Sequence, residues 1–505
     1  MKFMANLYHW TELVVIQIGL PAVSLTWKHK IMSRANPPQP SATDLAWRWF
    51  LAIISALALL IGLVQSKGHR DRPGLVQANA TPPYEPARAD STPQRNFRPR
   101  SAPPAQTAEE VVLGKLAQFS RSRREFAYAL ARKHNVEVPA DVETFFAAVE
   151  SGEWERIEAA FEKINGHDSS AGQAERPPGV AQLWPAILDA YGAAEQVHLW
   201  PAQQLLDYGN AVLGALRPGM IYVGGTDNGR WIPELLNDTS GGEQHIILTQ
   251  NGLADASYLD YLRLQYEGRL GVLSAEESQR AFQDYVADAQ KRLAHDEQFP
   301  DEPKQIRPGE DVRMSDGKIA VGGQVAVMAI NERLLQLLMQ NNPGISFALE
   351  ESFPLKGTYG DALPLGPLME LRAQDGPNAF TAERATESLE YWRNLAQQVL
   401  AQPEAPASDA ALKSYSHDAD AAANLLAAHN FTAEAEQAYR LGMQLWPGNP
   451  ESVGRLADLL TSAGRETEAR VLLQDFSKNH PNEQKDLERV SAAWHFLWSA
   501  KAPGP

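Results

Sequence analysis

The stretch MIYVGGTDNGRWIPELLN, residues 220–237, carries the strongest indication of the fold. Its apolar start, residues 220–223, stops at two glycines, and a polar turn is followed by apolar side chains three to four positions apart. That pattern predicts a buried strand, a glycine turn and the start of a helix, with Thr226 or Asp227 as the N-cap. In an open α/β sheet, ligands bind beyond the carboxyl ends of the strands, so the stretch also indicates where a site would lie.

The order of strand, polar loop and helix occurs again further along the chain. A second apolar run, residues 245–248, precedes the loop TQNG and a helical pattern, and a third, residues 345–349, ends at two glutamates. The Asp-Gly pair at residues 316–317 predicts a hairpin, and residues 368–372 predict a fourth strand. This alternation predicts an α/β domain over residues 180–375, with a mostly parallel sheet and helices on both faces.

Helical patterns flank the predicted sheet on both sides. Residues 108–166 have apolar positions at helical spacing and predict two or three helices. Residues 380–505 predict helices throughout, with a period of 34 residues that separates Ala435 from Ala469 and Pro447 from Pro481. The period, the small residues where helices would cross and the proline at the end resemble the tetratricopeptide repeat. Such repeats imply a helical surface that binds a partner peptide or protein.

The amino-terminal part of the sequence predicts membrane attachment. Residues 46–64 form an apolar run of 19 residues interrupted only by one arginine, which as a helix would extend about 28 Å and match the bilayer core. A buried core helix is the alternative, but the proline-rich flanks offer no neighbouring core. Residues 66–107 predict a disordered, extended linker. Residues 1–45 are a leader of open status: a weaker second membrane segment, a signal-like leader, or an addition before a natural start at Met32.

The charge distribution limits the classes of partner. Residues 1–107 hold 12 Lys and Arg against 5 Asp and Glu, whereas the rest of the chain holds 34 against 57. An acidic body of this kind argues against nucleic-acid binding, which needs clustered cations. The chain contains no cysteine, so disulfides, thiolate catalysis and Cys-ligated metals are excluded.

Polar side chains follow the carboxyl ends of the three predicted strands and define a candidate site. If the strands are parallel neighbours, these side chains converge at one edge of the sheet and bind a polar ligand. The candidate ligand-binding residues are Thr226, Asp227, Asn228, Arg230, Asn251, Glu350 and Glu351. Asp227 would also serve as a base or as a metal ligand. The alternative is that Asp227 and Asn251 are ordinary helix caps and turn residues.

No cofactor and no metal site are predicted, and the catalytic residues, if any, stay unknown. The glycine loop lacks both the G-x-G-x-x-G pattern and the terminal Gly-Lys-Ser/Thr of a P-loop. The histidines are scattered, and no pair of them has metal-ligand spacing. A metal held by oxygen ligands alone is left open.

Three segments, residues 219–237, 245–262 and 345–357, resemble a family of membrane-anchored bacterial proteins. More distantly, the region is similar to the soluble domain of multi-pass membrane glycosyltransferase-like proteins, which have a Gly-Asp-Asn-Asp-like loop after a strand. Here Thr-Asp-Asn-Gly stands in that place, followed by Trp231 and Pro233. The second acidic residue of the family's loop is missing, and Gly229 occupies its position. The resemblance implies a fold more than an activity. It favours an extracytoplasmic position, as does the lack of cysteine, whereas the nearly balanced Lys and Arg flanks of the anchor do not.

Two functions follow from these patterns. The first is a membrane-anchored assembly scaffold, in which C-terminal repeats bind a protein partner beside an α/β module that holds a polar ligand. The second is an enzyme or accessory subunit that acts on glycans or lipid-linked sugars, with Asp227 central to the chemistry.

Overall fold

The structure is a computed structural model, and it describes most of the chain after the predicted linker. The described residues are 106–165, 176, 179–225, 227–307, 309–315, 318–350, 360, 362–371, 380–401, 407–488 and 490. The predicted anchor at residues 46–64, the leader and the linker lie outside them, as do Thr226 and Glu351. In the described ranges, none of the helices combines the length and the apolar character that crossing a bilayer requires.

Before the first strand, all the regular secondary structure in the described residues is helical. The helices are α1 (Ala108–His134), α2 (Ala140–Ser151), α3 (Trp154–Asn165), α4 (Val180–Leu199) and α5 (Ala202–Ala215). A capping box starts α1: the Glu110 backbone N–H donates to Thr107 Oγ1 over 3.2 Å, and the Thr107 N–H donates to the Glu110 carboxylate. The buried apolar side chains of α1–α3 belong to the same core as strand residue Ile221, so this helical segment packs onto the α/β region.

The main sheet has five strands: β1 (Ile221–Gly224), β2 (Ile246–Thr249), β5 (Phe347–Leu349), β6 (Ala362–Leu365) and β7 (Leu368–Leu371). Their order is β2-β1-β5-β7-β6. Strand β1 is parallel to both neighbours, with Ile221 beside Ile246 on one side and beside Phe347 on the other. Every residue of β1, β2, β5 and β7 is buried, which requires cover on both faces of the sheet.

The prediction of a mostly parallel sheet needs correction, because the sheet is mixed. Strand β7, the predicted fourth strand, runs antiparallel to β5, and β6 runs antiparallel to β7. The physical reason is the short link between β6 and β7, in which Gly366 adopts a left-handed φ of 58° and is followed by Pro367. A link of two residues can join only antiparallel strands, since a parallel pair needs a long crossover.

The segments between the strands follow the predicted alternation. The described chain has α6 (Asn228–Asp238) after β1, α7 (Ala256–Gln265) after β2, then α8 (Ala275–Gln298), β3 (Asp311–Ser315), β4 (Lys318–Gly322) and α9 (Gln324–Asn341). The opening stretch is therefore strand, turn and helix. Strands β3 and β4 pair antiparallel on either side of the Asp-Gly pair, which confirms the predicted hairpin.

The carboxyl-terminal part is helical in the residues that the structure describes. It contains α10 (Ala382–Leu400), α11 (Asp409–Ala428), α12 (Thr432–Leu445), α13 (Pro450–Ser462) and α14 (Glu466–Asn479). Helices α11 and α12 form one hairpin and α13 and α14 a second. The turns of the two hairpins have the same backbone geometry: Asn430 and Gly464 both have a left-handed φ, of 64° and 75°. Ala435 and Ala469 are buried at equivalent positions.

Helices α10 and α11 connect the hairpins to the sheet. Both pack against β6, and α11 also packs against β7, at the antiparallel end of the sheet. Trp392 of α10 and Leu425 of α11 are buried in the same apolar core as β1 and β5. The first hairpin therefore covers the sheet and brings α11 close to the carboxyl ends of β1 and β5.

Candidate functional site: an acidic cleft

A narrow cleft lies between the sheet and the first helices of the carboxyl-terminal part. Strands β5–β7 form one wall and helices α10 and α11 the other, and the enclosed space between them has room for about one water molecule. Its charged lining consists of Glu350, directly after β5, and Asp418 on α11. Both side chains are more than nine-tenths buried, with 8% and 7% of their surface exposed. We call this region the acidic cleft.

The Glu350 carboxyl is held by the turn that follows β1. Its Oε2 accepts a hydrogen bond of 3.2 Å from the Gly225 backbone N–H and lies 3.4 Å from the Tyr222 hydroxyl. The same hydroxyl donates to the Gly229 carbonyl over 2.5 Å, and because it has one proton, its contact with Glu350 is the weaker one. A Cβ at residue 229 would lie 1.4 Å from Glu350 Oε1. Glycine at this position is therefore what leaves room for the carboxyl.

Asp227 reaches the same region from the start of α6. It is the N-cap residue by backbone position, but its side chain makes no capping hydrogen bond. Its Oδ1 is buried, and no donor among the described residues reaches it. By contrast, Asp255 caps α7 with a hydrogen bond from the Ser257 N–H to its Oδ1. A carboxylate oxygen buried without a donor is costly, although the backbone N–H groups of Gly229 and Asp227 still act to lower the pKa of the carboxyl group, as in a cap.

Asp418 is the third acidic group, and the sequence interpretation missed it. Its Oδ2 accepts a hydrogen bond of 3.1 Å from the Tyr208 hydroxyl on α5. Tyr208 is itself buried and packs edge-on against Tyr415 of α11. The available signal was the segment HDAD at residues 417–420, which concentrates charges on a helix whose apolar residues are mostly alanine.

Burial and the neighbouring negative charges raise the pKa values of the acidic groups in the cleft. Burial, followed by the charges of Asp227 and Asp418, raises the pKa of Glu350 well above its usual range. Burial also raises the pKa of Asp227, although the positive charges of His417 and Arg230 oppose the shift. Burial, with a further contribution from Asp227, raises the pKa of Asp418 to about 7. Burial and the neighbouring carboxylates therefore favour the protonated form of Glu350, in which the cleft offers a hydrogen-bond donor beside acceptors.

The predicted ligand-binding residue Arg230 instead binds other groups of the protein core. Its side chain is buried, and its Nη1 donates to Asp189 Oδ1 and to Glu234 Oε2, each over 2.8 Å. Its Nε donates to the Gly225 carbonyl over 3.2 Å. These contacts tie α6 to α4 and to the turn that holds Glu350. Arg230 therefore supports the acidic cleft through the Gly225 turn, and its charge is neutralised by protein carboxylates.

Arg123 of α1 completes this buried ion network. Its Nη2 contacts Glu234 Oε1 at 2.9 Å and Asp238 Oδ2 at 2.5 Å, while the Tyr261 hydroxyl donates to Asp189 Oδ2 over 2.8 Å. Three carboxylates thus share two guanidinium groups. Burial, followed by the charge of Asp189, raises the pKa of Glu234 to about 8. The network joins α1, α4, α6 and α7.

The protonation of Glu234 predicts how stability changes with pH. Its folded pKa of about 8 exceeds the ordinary value of 4.5, so the native state binds the proton more tightly than the unfolded chain. This contribution is complete below about pH 4.5 and is lost as the pH rises through about 8. In chemical denaturation at pH 6 and pH 9, Glu234→Gln should lose less stability than the wild type over that interval. An equal loss in both proteins would contradict the assignment.

The structure also describes two other predicted ligand-binding residues, Asn251 and Asn228. Asn251 Oδ1 accepts a hydrogen bond of 2.9 Å from Asn331 Nδ2 on α9, and the Asn251 N–H donates to Thr249 Oγ1, as in a turn. Asn228 is the half-buried first residue of α6. The structure thus brings Asp227 and Glu350 together with Asp418 and places Asn251 against α9.

Comparisons of this chain with protein-family models, with curated proteins and with solved structures found no match. The resemblances seen in the sequence therefore remain predictions. A function for this chain has to be inferred from the geometry of the acidic cleft and of the helical hairpins.

Proposed function

We propose that this protein is an assembly scaffold whose acidic cleft binds a hydroxyl-rich ligand, such as a glycan, beside tetratricopeptide-like repeats. The observation that carries the proposal is the convergence of three carboxyl groups from separate segments, namely Asp227, Glu350 and Asp418. The oxygen Asp227 Oδ1 has no donor among the described residues, and a ligand hydroxyl would supply one.

The charges of the cleft select the class of ligand. Anionic ligands would be repelled by the acidic groups. Sugar hydroxyls both donate and accept, which suits a group of carboxyls whose raised pKa values favour a mixture of protonated and ionised forms. The enclosed part of the cleft has room for about one water molecule, so a single sugar hydroxyl would reach the carboxyl groups while the ring stays at the open side.

The helical hairpins support the scaffold part of the proposal. Two hairpins with the same left-handed turn position, 34 residues apart, have the period of a tetratricopeptide array, and α10 packs against α12 as a further helix of the stack. In this proposal a protein partner binds the repeats, residues 46–64 anchor the chain in a membrane, and the folded part lies outside the cytoplasm. Nucleic acid is not among the partners, because the folded part is acidic.

An enzyme that acts on glycans or lipid-linked sugars is the second candidate. It is favoured by one observation: two buried carboxyl groups with raised pKa values, Glu350 with the larger shift and Asp227, lie near each other, and Asp227 Oδ1 lacks a donor within the described chain. A pair of this kind supplies a general acid and a base, which glycosidic-bond chemistry uses. Glu350 would donate a proton to the departing oxygen, and Asp227 would accept one from the attacking hydroxyl.

Ligand-dependent thermal unfolding of the full-length protein tests the proposal. The panel contains neutral oligosaccharides, nucleotide sugars and divalent ions, with wild type and Asp227→Asn measured side by side. A ligand present at 100 times its dissociation constant should stabilise the wild type by about 2.7 kcal/mol and Asp227→Asn by much less. Asp141→Asn, which changes an exposed carboxylate on α2, is the matched control and should respond like the wild type.

Two results would contradict the ligand proposal. One is the lack of a shift with every neutral oligosaccharide, and the other is an equal shift in Asp227→Asn; the anionic nucleotide sugars should shift the wild type less than the neutral ligands do. Product analysis of a stabilising glycan after incubation then separates the two candidates, because a scaffold leaves the glycan unchanged and the enzyme does not.

A further inference from the structure

A second group of ionisable side chains lies where the two helical hairpins meet. His417 and Asp420 lie three residues apart on α11, and Glu451 lies in the first turn of α13. One ligand atom from each of the three lies within 4.8 Å of the other two. His417 Nδ1 and Glu451 Oε2 are 3.7 Å apart. We call these three residues the His417 cluster.

The spacing in the His417 cluster approaches that of a zinc site. Zinc binds imidazole nitrogen and carboxylate oxygen at about 2.0–2.1 Å, so two ligands at the corners of a tetrahedron are about 3.4 Å apart. The separation of 3.7 Å between His417 and Glu451 is close to this value. All three pairs of ligand atoms lie within 4.8 Å, so each pair would have to close by at most about 1.4 Å to bind one ion.

The carboxylates of the cluster are held in place by neighbouring side chains. Asp420 is almost fully buried and accepts hydrogen bonds from Ser452 Oγ at 2.7 Å and from Asn449 Nδ2 at 2.8 Å. Glu451 Oε1 accepts from Arg455 Nε over 2.9 Å, and the other oxygen, Oε2, lies near His417. Hydrogen bonds of this kind orient metal ligands and are needed for tight binding.

The cluster is also accessible from solvent. The His417 side chain is 45% exposed and that of Glu451 23%, whereas Asp420 forms the floor. Two of the three side chains are therefore partly open to solvent, and Asp420 is not. The sequence pattern did not indicate the cluster, because only two of its members are close in the chain and Glu451 follows 31 residues after Asp420.

We propose that His417, Asp420 and Glu451 bind one Zn²⁺ ion, which joins the first helical hairpin to the second. The mixed nitrogen and oxygen ligands favour zinc over Mg²⁺ and Ca²⁺, which prefer oxygen alone. Three protein ligands leave a fourth position for water. The site adjoins the acidic cleft, because His417 precedes Asp418 and its charge acts on Asp227, but none of its three ligands is a carboxyl group of the proposed glycan site. The competing interpretation is an ion pair between His417 and Glu451 that binds no metal.

Calorimetric titration of the metal-free, full-length protein with Zn²⁺ tests the proposal. The chain is prepared without a histidine tag and is stripped with EDTA. We expect one Zn²⁺ per chain with a dissociation constant of about 1 μM or lower, and a rise in melting temperature on binding. His417→Ala and Glu451→Gln should each weaken binding by about 100-fold or more, because each removes one of three ligands.

His429→Ala is the matched control, since it removes a histidine from the carboxyl-terminal end of the same helix and should bind Zn²⁺ like the wild type. Melting temperatures in EDTA check the fold: His417→Ala should melt close to the wild type, because its side chain is half-exposed. Binding that survives in both His417→Ala and Glu451→Gln would overturn the proposal. So would an absence of binding at 100 times the expected dissociation constant, or an equal response to Mg²⁺.

Discussion

Replacing Arg230 by methionine should destabilise the protein by about 3–5 kcal/mol, the largest effect that we expect from a single substitution. The change leaves Asp189 and Glu234 buried with one guanidinium fewer, and methionine cannot replace the lost hydrogen bonds. Protonation of Glu234 limits the loss without removing it. The measurement is the free energy of unfolding in denaturant at pH 7.

Arg156→Met is the control for this prediction. Arg156 pairs with Glu153 across one turn, and both side chains are about 60% exposed. An exposed pair contributes at most about 1 kcal/mol, so this variant should unfold near the wild type. A similar small effect at both positions would mean that the buried network does not hold α1, α4, α6 and α7 together.

Gly192→Ala should also be strongly destabilising, by about 1–3 kcal/mol or more, even though alanine favours helices. Gly192 lies in the middle of α4, and a Cβ at this position would come within 2.1 Å of the indole ring of Trp231 on α6. Trp231 is 1% exposed, so its ring has no free space into which to move. Thermal or chemical unfolding measures the effect.

Gly214→Ala provides the opposite expectation in a comparable position. Gly214 lies in the last turn of α5, and a methyl group added there would meet no neighbouring atom within 4 Å. Alanine should therefore be neutral or stabilising by up to about 1 kcal/mol. If Gly192→Ala and Gly214→Ala had the same effect, the close approach of α4 to α6 would be wrong.

The sequence predicts local elements well where one periodicity dominates. Residues 220–237 show a change from a continuous apolar run to helical spacing, and the structure has β1 and α6 there. The direction of β7 was not predictable from its pattern, because a short buried strand has the same composition in parallel and antiparallel pairs. The better indicator was the Gly-Pro pair at residues 366–367, which marks a tight turn.

The candidate site was predicted only in part, for reasons that lie in the tertiary structure. Asp227 and Glu350 come together because β1 and β5 are parallel neighbours, as the predicted convergence at one sheet edge requires. Arg230 enters the core instead, since the buried carboxylates of Asp189 and Glu234 surround it. Asp418 was missed because its role depends on the packing of α11 against the sheet, which no local pattern records.

The most direct test of the acidic cleft as a ligand site is an equilibrium titration with the glycan that best stabilises the full-length protein. Asp227→Asn, Glu350→Gln and Asp418→Asn are compared with the wild type and with Asp141→Asn. We predict about a 10- to 100-fold loss of affinity for each of the three cleft variants, as expected for a hydrogen bond to a charged or buried group, and no loss for the control. Wild-type affinity in all three cleft variants would contradict the proposal that the cleft binds the glycan.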